Sequence, residues 1–333
     1  MSGAGPDRWI VIAAVAVVAV VVGAGALAAS SLGGGPVPLD PIMPMPAEEI
    51  GAPDERQAEP DLVRADASFV DIRTGRERDL PRLIRGPSTP TRFAVSPDGR
   101  RIAFVTVNAI HIARVDGEGR REVVSELGAT DPAWSPSGRK LAYTDGERIL
   151  VLNLSTGRTR ALTSRLGRIW RPNFSPDGRR ILFTLAAAGE LDLWTVPATG
   201  GHPSPLLRLN GRNQHAAFGV FGPDGTIAYR RTGFDGAEIT QMTEATVWLA
   251  DADGKHRRPL RAGSGWMSQV DPEALWPTWS PDGTKIAFER LYNQPVAVFD
   301  LRTGLVIDRI VGADPTWLDS DTLIVEAYGE GRQ

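Results

Sequence analysis

The side chains able to do chemistry in this chain are few and scattered. It has no cysteine and four histidines, His111, His202, His215 and His256. Without thiols, a thiolate nucleophile, a Cys-ligated zinc, an iron–sulfur cluster and a disulfide framework are excluded. The histidines never form an H-x-H or H-x-x-x-H pair, so they offer no local metal motif. A serine hydrolase would need a Gly-x-Ser-x-Gly elbow and an α/β domain supplying its acid and base. The nearest string, Ala262-Gly-Ser-Gly-Trp266, has the wrong spacing. Asp251-Ala-Asp-Gly254 imitates the start of a calcium loop but lacks the later ligands. The sequence therefore predicts no catalytic residue, no metal site and no cofactor, and leaves binding as the function to look for.

The elements that would position binding residues show themselves through a repeat. Trp134-Ser-Pro-Ser-Gly-Arg-Lys-Leu-Ala-Tyr143 recurs as Phe174-Ser-Pro-Asp-Gly178 and Trp279-Ser-Pro-Asp-Gly283, each leading into a basic, apolar run. Further copies are Phe93-Ala-Val-Ser-Pro-Asp-Gly99, Phe221-Gly-Pro-Asp-Gly225 and a degenerate Trp317-Leu-Asp-Ser-Asp-Thr-Leu-Ile-Val325. Proline presets the first turn dihedral, aspartate bonds back to the backbone and glycine takes the left-handed position, so the phrase predicts a β-hairpin. Each unit continues to a second Gly-bearing turn, as at Ser155-Thr-Gly157 and Arg302-Thr-Gly304. Four strands in a unit of roughly 40 to 45 residues is the pattern of a propeller blade.

The last unit supplies only its first two strands before the chain ends. Ser68 to Leu80 reads as an orphan second hairpin resembling Val298-Phe-Asp-Leu-Arg-Thr-Gly304. Joining the two halves gives a sixth blade and ties the chain ends together. The expected fold is all-β: a six-bladed β-propeller over residues 67–333 with N-to-C-terminal strand closure.

The W/F-S-P-D-G-x-K/R-I/L-A-F/Y phrase resembles the WD40-like repeat of the TolB-type six-bladed β-propellers. The resemblance covers residues 67–333 and implies the fold together with a role as a protein-interaction platform near the cell envelope. The repeat residues of that family are structural, so it implies no catalytic residue. The chain differs from TolB in its apolar N-terminal segment and in the absence of a TolB-like N-terminal α/β domain.

That segment, Ile10 to Ala29, is twenty residues without a polar side chain, long enough as a helix to cross a bilayer core. Two readings stand: an uncleaved anchor within residues 1–32, or a signal peptide cut at an A-x-A site such as Ala24-Gly25-Ala26. Both export the propeller. The first gives a single-pass membrane protein with its propeller outside the cytoplasm, the second a secreted or periplasmic one. Residues 33–66 hold eight acids and two arginines, net -6, among many prolines, and read as a disordered linker. The overall charge of -3 argues against nucleic acid as a partner.

If the two turn types share one rim, the other connections and their insertions share the opposite face. Thr232 to Ala245 and Ala262 to Leu275 are the long ones, and Trp266 lies in the second. The channel mouth on that face is expected to carry Pro90, Asp131, Arg171, His215, Trp276 and Asp314, near the entrances of the innermost strands. With Trp266 these form the expected binding face. The paired arginines at 100/101, 179/180, 230/231 and 257/258 are read as strand starts on a solvated surface. The reading of function is a monomeric, non-catalytic propeller binding proteins of the envelope. The alternative is a propeller that binds or hydrolyses a carbohydrate or other ligand with the polar residues at the channel mouth.

Overall fold

The computed structural model describes residues 67–81, 84, 91–107, 109–187, 190–209, 215–232, 246–260, 274–290 and 295–326. The apolar segment 10–29, the linker 33–66, Pro90, residues 233–245 and 262–273 of the two insertions, and with them Trp266, lie outside them. Among the described residues no helix is long and apolar enough to cross a membrane.

Strands β1 (Ala67–Asp71) and β2 (Glu77–Asp79) come first in the chain but complete the last blade. Blade 1 comprises β3 (Thr91–Val95), β4 (Arg101–Thr106), β5 (Ala109–Arg114) and β6 (Arg121–Ser125). Blade 2 comprises β7 (Thr130–Trp134), β8 (Lys140–Thr144), β9 (Ile149–Asn153) and β10 (Thr159–Ala161). Blade 3 comprises β11 (Arg168–Phe174), β12 (Arg180–Ala187), β13 (Glu190–Pro197) and β14 (Ser204–Leu207). Blade 4 comprises β15 (His215–Phe221), β16 (Ile227–Thr232), β17 (Thr246–Ala250) and β18 (Arg258–Pro259). Blade 5 comprises β19 (Ala274–Trp279), β20 (Lys285–Arg290), β21 (Val296–Asp300) and β22 (Val306–Ile310).

Blade 6 runs from the inside outward as β23 (Ala313–Trp317), β24 (Thr322–Glu326), β1 and β2. Its third strand pairs antiparallel with the chain's last described one, Ala67 opposite Glu326 and Asp71 opposite Thr322. The expected closure is thus the observed one. β23 also touches β3, completing the ring of innermost strands.

The turn phrase owes its recurrence to one hydrogen-bonded bracket. Ser96 Oγ accepts the Arg101 N–H at 2.9 Å and donates to Asp98 Oδ1 at 2.5 Å, while the Gly99 N–H reaches Ser96 O at 2.8 Å. Ser175 and Ser280 repeat it with Asp177 and Asp282. These serines are buried, so the side chain satisfies a strand N–H that water cannot reach. The fourth copy has glycine instead, for a steric reason. A Cβ on Gly222 would stand 2.9 Å from the ring carbons Cδ2 and Cε2 of Trp279.

The core is divided into six apolar layers, each between neighbouring blades. Phe174, Ile181 and Phe183 of blade 3 pack with Ala142, Ile149 and Val151 of blade 2, and the other junctions are built alike. Polar staples cross the same junctions. The indole N–H of Trp134 donates to Ala94 O of blade 1 at 3.0 Å, and that of Trp317 to Thr278 O of blade 5 at 3.1 Å. From the other side Arg101 stacks on Trp134, 4.5 Å from the ring centroid, and donates to Gly138 O at 3.0 Å. Arg180 over Phe221 and Lys285 on Ser320 O occupy the same position in later blades. The paired basic residues at 100/101 and 179/180 therefore do more than face solvent: the second of each pair clips its blade to the next. Arg230 and Arg231 depart from the expectation in position too, standing near the end of β16.

Candidate functional site: a plug at one mouth of the channel

Every innermost strand breaks its ladder at the same place. Register skips from Thr91 to Ala94, Thr130 to Ala133, Trp170 to Asn173, Ala217 to Val220, Leu275 to Thr278 and Ala313 to Thr316. The first residue of each skipped pair is in the left-handed region: Arg92, Asp131, Arg171, Phe218, Trp276 and Asp314, with φ from 44° to 56°. Four are followed by proline, which has no N–H to strand where the ladder is broken. A left-handed L-residue costs about 1–2 kcal/mol, so six in a ring require compensation from what they touch.

What they touch is chiefly each other. Arg92 meets Asp314 at 3.0 Å on one side and Asp131 at 3.5 Å on the other. Arg171 pairs with Asp314 across the ring, from blade 3 to blade 6, and its backbone N–H donates to Asp131 Oδ2 at 3.0 Å. Both guanidiniums lie over Trp276, each 4.9 Å from the ring centroid, and Phe218 meets that ring edge-on at 6.0 Å. These charge and π contacts draw the innermost strands together and form a plug of paired side chains at this mouth.

Second strands complete it. Thr184 accepts the Phe218 N–H at 2.7 Å, Glu289 the Asp314 N–H at 2.8 Å and Glu326 the Arg92 N–H at 2.7 Å. Each reaches from its own blade to the bulge of the next one. Burial pushes Asp314 upward, but Arg171 and Arg92 outweigh it and hold the carboxyl below the usual carboxylate range. Glu326 goes the other way: burial, reinforced by the negative charge of Asp314, pushes it up to about 8.

The Glu326 shift has a stability consequence. A carboxyl whose folded pKa is raised contributes stability that is complete below its unfolded value near 4.5 and is lost as pH climbs through about 8. The thermal midpoint of the protein is expected to fall between pH 5 and 9, and Glu326→Gln to flatten that decline while keeping the acceptor for the Arg92 N–H. A decline of the same size in the Gln variant would assign it to other groups.

Beyond the plug the channel widens into a cavity of about 560 Å3 that extends to the turn rim at Pro97, Pro281 and Ser320. Its wall includes Asn173, whose amide donates to Gly219 O at 2.9 Å and whose Oδ1 accepts the Phe221 N–H at 3.1 Å. Among the described residues no group of His, Asp and Glu is arranged to hold a metal.

Four of the expected mouth residues, Asp131, Arg171, Trp276 and Asp314, come together in the plug. His215 does not: it opens β15, and its Nδ1 accepts the Leu191 N–H at 3.2 Å. Phe218 holds the blade 4 position and Arg92 that of blade 1, in the place expected for Pro90. A signal for both existed. Counting four residues back from the turn serine, or from Gly222 and Leu318, finds all six, because the bulge lies at a fixed distance from the turn. In blade 1 the aromatic Phe93 misleads, since Val95 occupies the place that Trp134 or Phe174 holds elsewhere.

Comparison with known proteins supports the architecture. The family described as TolB beta propeller domain (PD40) matches residues 99–238. Over 215 residues the chain is 28% identical to the uncharacterized protein Atu1656 of Agrobacterium fabrum, covering 60% of this chain and 69% of that one. Over 133 residues it is 31% identical to the Tol-Pal system protein TolB of Anaeromyxobacter dehalogenans, covering 39% of this chain and only 26% of TolB. Among solved structures, a putative TolB from Agrobacterium tumefaciens matches with a TM-score of 0.63 at 17% identity, over 79% of this chain and 97% of that one. TolB from Acinetobacter baumannii matches with a TM-score of 0.55 at 17% identity, over 79% and 64%. These structural likenesses speak to fold. Taken with the turn bracket and the ring closed by both chain ends, they bear out a six-bladed β-propeller that resembles the TolB-type propellers.

Proposed function

We propose that this chain is a membrane-anchored, extracytoplasmic propeller that binds another protein of the cell envelope and catalyses no reaction. The observation that carries the reading is the plug: Asp131, Asp314, Arg92 and Arg171 are committed to one another and to Trp276. Residues so paired make a rigid centre for a binding face. The alternative, a carbohydrate- or ligand-processing site at this mouth, would require those pairs to open.

The similarity to Tol-Pal system proteins supports a protein partner in the envelope, and the apolar run Ile10 to Ala29 supports the anchor. Support for the plug face comes from exposed apolar side chains around it. Leu127 and Val311, in the connections that lead into β7 and β23, are 83% and 61% exposed. Large exposed apolar groups beside a rigid centre are what a partner buries. Leu127→Asp combined with Val311→Asp is expected to leave a cooperatively folded, β-rich protein. Cross-linking in intact membranes with mass spectrometry of the captured proteins should then show at least tenfold less of a specific envelope protein than wild type captures. Undiminished capture would discard this face.

A further inference from the structure

We infer that the crevice between blades 4 and 5, on the plug face, is a carboxylate-binding site whose anchoring group is the guanidinium of Arg230. This goes beyond the protein-binding reading and is tested without any partner.

The first observation is an unmet donor. Arg230 Nε is buried and has no hydrogen-bond partner, and among the described residues no carboxylate forms an ion pair with this side chain. The residue as a whole is only partly covered, so the guanidinium tip keeps an opening to solvent while its stem and Nε are enclosed. Burial pushes its pKa down to about 10, which still leaves a full positive charge at neutral pH. A buried charge lacking a counter-charge is costly, and folded proteins pair such groups.

The second observation is where Arg230 stands. Ala228 packs against Ile286 and Phe288 of blade 5, so two residues further along β16 the Arg230 side chain lies on the face turned to blade 5. By register it is opposite Ala217, immediately before the bulge. Thr184, Glu289 and Glu326 hold the same register position in their blades, and each accepts the bulge N–H of the next one. Arg230 is a donor only. At this junction it therefore cannot cap the Trp276 N–H, and donors confront donors where those three junctions have an acceptor.

The third observation comes from the same junction. The indole N–H of Trp279 is buried without a partner, whereas Trp134 and Trp317 staple their junctions through theirs. Blades 4 and 5 are thus joined by apolar packing with its polar complement short of acceptors. An anion entering from the plug face supplies one to the open end of the Arg230 guanidinium.

The geometry selects a carboxylate. The guanidinium fork matches a planar carboxylate in two parallel hydrogen bonds, and a single negative charge balances a cation that, among the described residues, has no carboxylate partner. Arg290, at the facing end of β20, has interactions of its own. A phosphate dianion would leave excess charge in the crevice. Neighbouring His215 adds no positive charge, because burial chiefly, with help from Arg230, keeps its pKa low, although Glu190 opposes this.

The test is thermal unfolding of the full chain in detergent at pH 7, with sodium acetate replacing sodium chloride at constant ionic strength. The wild-type midpoint should rise by a few degrees and saturate. Arg230→Met should start from a higher midpoint, since the unpaired charge is gone, and should not respond to acetate. Arg231→Met, whose side chain stacks instead on Trp248, should respond like wild type and controls for folding. No acetate response in wild type, or an equal one in Arg230→Met, would overturn the site. A stronger response to inorganic phosphate than to acetate would overturn the assignment to a carboxylate. N-acetylaspartate amide in place of acetate distinguishes the source: tighter binding points to an acidic side chain of a bound protein, weaker binding to a free small acid.

Discussion

A chain lacking residues 67–80 is expected to lose cooperative unfolding of the whole ring. Those residues form the two outer strands of blade 6, and they are not an ornament on its edge. Val70 and Ile72 pack against Val296, Val298 and Trp317, whereas Ala67, Phe69 and Leu80 pack against Phe93, Ile102 and Phe104. β1 is thus a wedge whose faces belong to two different inter-blade layers. Phe69, Val70, Ile72 and Leu80 are all at most 3% exposed. At about 1.5–3 kcal/mol for each large apolar side chain removed from the core, the loss is on the order of 10 kcal/mol. That is as large as the net stability of a typical domain. The deletion also leaves β24 with unpaired backbone groups along its length. Circular dichroism and calorimetric melting of the truncated chain provide the check, and a sharp, native-like transition would show that the remaining strands close the ring unaided. Phe69→Ala, which keeps the backbone pairing, should cost about 3–5 kcal/mol.

Asp314→Ala is expected to destabilise the protein by about 3 kcal/mol, because one carboxylate serves two cations. Removing it strips a partner from Arg92 and Arg171 together and leaves their charges facing each other over Trp276. Breaking a buried pair costs about 3–5 kcal/mol, and the lower end applies because the guanidinium side chains remain 32% and 23% exposed. Asp314→Asn distinguishes charge from backbone, since asparagine tolerates the left-handed conformation as aspartate does. If Asn unfolds at the wild-type denaturant midpoint while Ala does not, the ion pairs contribute nothing and the left-handed backbone carries the effect. Adding Arg171→Met to Asp314→Ala should restore part of the loss by removing one orphaned cation.

Most of the architecture was legible because its signals are local. The Ser-Pro-Asp-Gly phrase closes its own hydrogen bonds within five residues, so its recurrence marks the hairpins, and the orphan hairpin at residues 68–80 forces the composite blade. Pair contacts across blades are harder to read. Arg101 and Arg180 have the look of strand starts facing water, yet each reaches an aromatic of the next blade. The spacing that links Arg101 to Trp134 becomes meaningful only once the blades are known to be adjacent.

The mouth of the channel divides the same way. Short-range turn chemistry and the count of repeats are enough to specify six blades, a blade shared by the chain ends, and Asp131, Arg171, Trp276 and Asp314 standing near one opening. That Arg92 and Phe218, rather than Pro90 and His215, complete the set follows from the fixed distance between bulge and turn; that these residues meet at one mouth emerges from the assembled ring alone. The bulge responsible is a backbone event repeated in every blade with no common side chain, so only its fixed distance from the turn phrase marks it in the sequence. Its stability comes from partners in other blades: Arg171 and Asp314, on opposite sides of the ring, are 143 residues apart in the chain. Charges that look unrelated in sequence become a single closed network because the ring brings six strand entrances to one point.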